Sequence, residues 1–111
     1  MLTIVETAQF LRVAAKLFSE EEKAELVDFL SSSPLAGEEI IGSGGLRKVR
    51  FAVRNKGKSG GARVIYFYYS QNAPLYIITC YGKSGKSNLS KAEINSYATL
   101  TAALKAHHRK D

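Results

Sequence analysis

The chain has no tryptophan, a single cysteine, two histidines and two prolines, and between Ile40 and Ala92 it has no aspartate or glutamate at all. Each scarcity excludes something. One cysteine, Cys80, can build neither a disulfide framework nor a cysteine zinc site; set in the apolar run Leu75-Tyr76-Ile77-Ile78-Thr79-Cys80-Tyr81, it reads as a buried, inert thiol. The two histidines, His107 and His108, are adjacent, and neighbours on a helix point about 100° apart, so they do not converge on one metal. They read as a frayed terminal pair. Glu6, Glu20, Glu21, Glu22, Glu38, Glu39 and Glu93 show no paired-carboxylate pattern near the acid-free segment, which argues against two-metal nuclease chemistry. No cofactor and no metal are expected. Met1-Leu2-Thr3-Ile4-Val5-Glu6 has no basic leader, and nowhere are there ~18 consecutive apolar residues. The expectation is a soluble, cytoplasmic protein with no membrane partner.

What the chain does have is charge of one sign in one place. Ten Lys or Arg residues fall between Ile40 and Ala92, and all ten acidic residues lie outside it. The formal net charge of +6 therefore combines −5 over residues 1–39, +10 over residues 40–92 and +1 over residues 93–111. A one-signed field over half a small domain attracts a polyphosphate partner and speeds encounter with it. The full 111 residues, 45% of them hydrophobic, are enough for one domain (1–111) with one ordinary core.

Residues 1–6 alternate as a short strand, and Thr7 caps a predicted helix with Phe10, Val13, Ala14 and Leu17 on one face. Ser19-Glu20-Glu21-Glu22 is a capping box opening a second helix through Leu26, Val27, Phe29 and Leu30. Ser31-Ser32-Ser33-Pro34 stops it, and the glycine-containing stretch to Gly45 reads as loop. From Leu46 the period changes to two. Val49, Phe51 and Val53 alternate with Lys48, Arg50 and Arg54, which puts the three charges on one strand face. Ala62 to Tyr69 and Leu75 to Tyr81 are the next strands, and Ser90-Lys91-Ala92-Glu93 caps a last helix running to about His107. The predicted class is α+β: an antiparallel sheet of about four strands, made from a three-strand C-terminal meander and the N-terminal strand. Two N-terminal helices and one C-terminal helix pack on one face of it.

In such a meander the end of the first strand, the start of the second and the end of the third share one sheet edge. Arg47, Lys48, Arg50, Arg54, Lys56, Lys58, Arg63, Lys83 and Lys86 gather there. Tyr81, beside the second basic loop, is the one tyrosine of the sheet expected to act in function; the others read as packing. Ala52 to Ser59 fits a relaxed phosphate-loop pattern, but that chemistry needs a helix after the loop, and here a strand follows.

Gly44-Gly45-Leu46-Arg47-Lys48-Val49-Arg50, Gly60-Gly61-Ala62-Arg63-Val64-Ile65-Tyr66-Phe67 and Ile78-Thr79-Cys80-Tyr81-Gly82-Lys83-Ser84, in this order of elements, resemble the RelE/HigB superfamily of type II toxins, closest to its HigB-like branch. The resemblance spans nearly the whole chain. It implies the RelE-like fold and a ribosome-dependent, metal-independent endoribonuclease that cuts messenger RNA in the ribosomal A site, inhibiting translation and growth. It further implies a cognate antitoxin, of helix-turn-helix type, with operator DNA contacted only through the antitoxin complex. By the same resemblance Lys48, Arg50, Arg63, Lys83 and Lys86 surround the scissile phosphate, the first four as catalytic residues; Arg47, Arg54, Lys56, Lys58 and Lys86 are the candidates for RNA and ribosome binding on the basic edge. RelE itself has an arginine directly after the Gly-Lys pair and a tyrosine further on; this chain has Ser84 and Ser90 there, and Tyr81 is the candidate replacement.

In that chemistry a 2′-hydroxyl attacks the adjacent phosphate, which needs alignment, a base, an acid and charge stabilisation. Arg63 suits the phosphate oxygens. A lysine crowded by cations loses proton affinity, so Lys83 or Lys48 is a candidate base, and Tyr81 or another lysine a candidate acid. Sequence does not separate these roles. Two other readings use the same charges: a non-catalytic basic nucleic-acid-binding module, and a face that only docks an acidic protein.

Overall fold

The computed structural model describes residues 2–52, 61–82 and 88–109. In chain order the elements are β1 (Ile4–Glu6), α1 (Ala8–Leu17), α2 (Glu20–Ser32), β2 (Glu38–Glu39), β3 (Leu46–Phe51), β4 (Ala62–Tyr68), β5 (Leu75–Gly82) and α3 (Lys91–Arg109). The fold is α+β, three helices about one sheet, as the sequence implied.

The helix starts form for the reasons read from the chain. The Thr7 hydroxyl accepts from the Phe10 amide at 3.3 Å. Ser19 and Glu22 close a reciprocal capping box, the Ser19 amide donating to the Glu22 carboxylate at 2.9 Å. Ser90 and Glu93 do the same for α3. Each box satisfies two backbone donors that a bare helix start would leave orphaned.

The sheet differs from expectation in three ways. It has five strands in the order β1-β5-β4-β3-β2. It is mixed, because β1 lies parallel to β5 while every other pair is antiparallel. Its helices also occupy both faces. Phe10, Ala14, Leu26 and Leu30 of α1 and α2 pack with Val64, Tyr66, Leu75, Ile77 and Cys80. Tyr97 and Leu104 of α3 pack on the other side with Leu46, Ile65, Phe67, Ile78 and Tyr81. The physical cause lies in β4 and β5, whose runs are apolar at successive positions: Val64, Ile65, Tyr66 and Phe67 are all buried. A strand apolar on both sides has to be covered on both sides.

Cys80 is buried, and burial pushes its thiol up to about 12, so at neutral pH it is a protonated, apolar filler. The histidines are less idle than expected. Tyr76 Oη lies 2.7 Å from His108 Nε2, which ties the last turn of α3 to the sheet.

The segment before β2 is gripped from the sheet. Tyr66 Oη donates to the Pro34 carbonyl at 2.8 Å and accepts from the Gly37 amide at 2.9 Å, and Arg47 Nη1 donates to the Gly37 carbonyl at 2.6 Å. Burial pushes the Tyr66 phenol up, partly offset by the Gly37 amide and by Arg47 nearby. Tyr66→Phe would strand a buried amide, and is expected to lower unfolding free energy by about 1–3 kcal/mol in urea titrations.

Candidate functional site

Antiparallel register decides which charges meet. Arg50 of β3 stands directly opposite Arg63 of β4, and Arg63 directly opposite Tyr81 of β5. Directly paired residues project from the same face. Lys48, two residues before Arg50, shares that face and stands opposite Ile65. The predicted convergence of Lys48, Arg50, Arg63 and Tyr81 is therefore what the sheet builds.

Tyr81 arrives there by a device that alternation alone does not show. β4 and β5 pair as Ile65 with Thr79 and then Tyr66 with Ile77, leaving Ile78 as the extra residue of a bulge. An uninterrupted ladder would set Tyr81 opposite Ala62 and aim it toward α1 and α2; the bulge moves it opposite Arg63 and onto the face beneath α3. Tyr81 is 9% exposed and belongs to the apolar cluster under α3 that includes Ile65 and Ile78. It forms a wall of the basic row more than a projecting arm.

Arginines directly across a ladder repel one another, and like charges there are destabilising. Arg50 is exposed and Arg63 half-buried. Lys48, also half-buried, is oriented by a hydrogen bond of 2.9 Å from its Nζ to Asn88 Oδ1, just before α3.

Arg47 is placed apart from this group. It pairs with Tyr66 on the face of α1 and α2, where its guanidinium is occupied by the Gly37 carbonyl. Arg54, Lys56, Lys58, Lys83 and Lys86 lie outside the described residues, as do residues 53–59 of the phosphate-loop pattern. That pattern is followed by strand β4, so the helix such chemistry requires is not there.

A carboxylate that sequence reasoning set aside is close to the site. β2 falls in the stretch read as loop, and its register sets Glu38 directly opposite Lys48, with Glu39 opposite Arg47. Glu38 is exposed and shares the face of Lys48, Arg50 and Arg63. The signal that points to it is the glycine-rich turn between Ile40 and Leu46, where Gly42, Gly44 and Gly45 all have positive φ and fold the chain back on itself.

The model of the family described as the RelE toxin of the RelE/RelB toxin–antitoxin system matches residues 3–111. The chain belongs to the RelE toxin family. Among solved structures it is similar to a mutant of the E. coli toxin RelE in the free state, with a TM-score of 0.55 at 20% identity, covering 89% of this chain and 95% of that one. At that identity the likeness shows the RelE fold. Family membership makes this a toxin of a type II toxin–antitoxin system and gives it an antitoxin as partner; RelE-family toxins are in general endoribonucleases. No helix among the described residues is long and apolar enough to cross a membrane.

Proposed function

We propose that this RelE-family toxin is a ribosome-dependent endoribonuclease that cuts messenger RNA in the ribosomal A site and so arrests translation and growth. One observation carries the reading: the row Arg50–Arg63–Tyr81, with Lys48 beside it, sets three cations on one face at adjacent strand positions. Two guanidinium forks suit the non-bridging oxygens of a phosphate, where they bind in bidentate fashion and hold charge that grows in the transition state. Tyr81 supplies an aromatic edge against which a base or ribose packs. The reaction is transesterification. The 2′-oxygen bonds to phosphorus, the bond to the 5′-oxygen breaks, and the products are a 2′,3′-cyclic phosphate and a 5′-hydroxyl. The ribosome supplies what a small open sheet face does not, a fixed substrate conformation ready for in-line attack.

The antitoxin is a small helix-turn-helix protein encoded beside the toxin, and operator DNA is reached only through the complex. The test is expression of the toxin with and without that neighbouring frame, together with mapping of message ends. The expected result is growth arrest relieved by the neighbour and cleavage confined to messages under translation. Cleavage of free RNA at the same rate removes the ribosome from the mechanism, and tight RNA binding without cleavage leaves a basic binding module.

A further inference from the structure

We infer that Glu38 is a catalytic residue of this site, the base that takes the 2′-hydroxyl proton, and that Lys48, its cross-strand partner, is the acid that protonates the leaving 5′-oxygen. The inference rests on the ribosomal cleavage reading above and assigns the two proton-transfer roles within it.

Geometry brings the pair together. Glu38 and Lys48 are direct register partners, and such residues have Cβ atoms about 4.5–5.5 Å apart on one face. Their two side chains therefore stand on the face of Arg50 and Arg63, two residues along the ladder from that pair. Among the described residues no ion pair joins them: Lys48 Nζ donates instead to Asn88 Oδ1 at 2.9 Å. Among those residues the Glu38 carboxylate is thus beside Lys48 without being spent on it.

The chemistry of the surroundings divides the roles. Lys48 donates to the Asn88 side-chain oxygen and stands opposite the Glu38 carboxylate. A lysine amine brings only donors to such a site and an ionised carboxylate only acceptors, which suits the first to giving a proton and the second to taking one. Glu93 also lies near the start of α3, but its carboxylate accepts from the Ser90 amide at 2.7 Å in the capping box. Glu39, one residue on from Glu38, faces the other side of the sheet opposite Arg47. Glu38 remains as the described carboxylate with both the face and the freedom to act. In the balanced step its oxygen takes the 2′-proton as the 2′-oxygen bonds to phosphorus. The bond from phosphorus to the 5′-oxygen breaks, and the Lys48 ammonium gives that oxygen its proton. Water returns both groups to their starting states.

A substrate with an altered leaving group separates the roles. Wild type, Glu38→Gln, Lys48→Ala and Glu39→Gln are compared in single-turnover cleavage on ribosomes programmed with two messages, one ordinary and one with sulfur in place of the scissile 5′-oxygen. A thiolate leaves without an acid. On the ordinary message Glu38→Gln and Lys48→Ala are each expected to be slower by about 10²–10⁴-fold, with ribosome binding and melting temperature unchanged for Glu38→Gln. Glu39→Gln is expected to match wild type. On the sulfur message Lys48→Ala recovers to near the wild-type rate and Glu38→Gln stays slow, because its missing group is the base. The inference is overturned if Glu38→Gln cuts the ordinary message as fast as wild type, or if sulfur rescues it as fully as it rescues Lys48→Ala. If wild type cuts neither message on ribosomes, the cleavage reading itself fails and takes this assignment with it.

Discussion

Arg63→Ala is expected to slow cleavage on ribosomes by roughly a hundredfold or more. The loss follows from removing one preorganised donor to a transition-state oxyanion, typically about 3–4 kcal/mol. Arg63 faces Arg50 directly across the ladder, and a catalytic role for it predicts a loss of rate larger than any loss of stability. Single-turnover rates beside urea titrations check it. A variant that unfolds more easily and cleaves normally would assign Arg63 to the scaffold and the phosphate to other cations. Arg63→Lys is expected to recover only part of the rate, since an ammonium keeps the charge but loses the fork.

The second large effect is on folding. Gly44→Ala is expected to cost about 2–5 kcal/mol. Gly44 has φ near 79°, a conformation that costs an alanine about 1–2 kcal/mol. A Cβ there would also run into the Thr101 hydroxyl of α3. Thr101 is fully buried, and its hydroxyl donates to the Ser43 carbonyl at 2.9 Å, the polar bond that seats the middle of α3 on the turn between β2 and β3. Pushing it aside lifts α3 from Leu46, Ile65 and Phe67. Because the clash and the hydrogen bond involve the same side chain, Thr101→Ala in the Gly44→Ala background is expected to cost less than the sum of the single changes. Strict additivity of the unfolding free energies would show that backbone strain at Gly44, and not Thr101, is the whole effect.

Much of this site is legible from alternation and short connections. Lys48 and Arg50 share parity in one strand, Arg63 opens the next, and antiparallel neighbours with short links have little freedom to pair otherwise. Cap chemistry likewise places Thr7, Ser19 and Ser90 at helix starts, since each satisfies donors within its own turn. The cation row and the family follow from such local signals. Glu38 does not. A strand of two glutamates has neither a period nor β-propensity, and Glu38 joins the sheet only because Tyr66 and Arg47 grip Gly37 while glycines turn the chain back at Gly42 and Gly44.

By itself, the sequence determined the helix starts, the three central strands, the concentration of positive charge and the thiol that packs as an apolar residue, because each is settled by residues close together in the chain. Tertiary structure alone decided that β1 lies parallel to β5, that α3 covers the second face, that a bulge at Ile78 turns Tyr81 toward Arg63, and that a carboxylate stands across from Lys48. Those four are relations between distant segments. Periodicity reports which side of an element is apolar and never which partner covers it, so register and layer order had to come from packing.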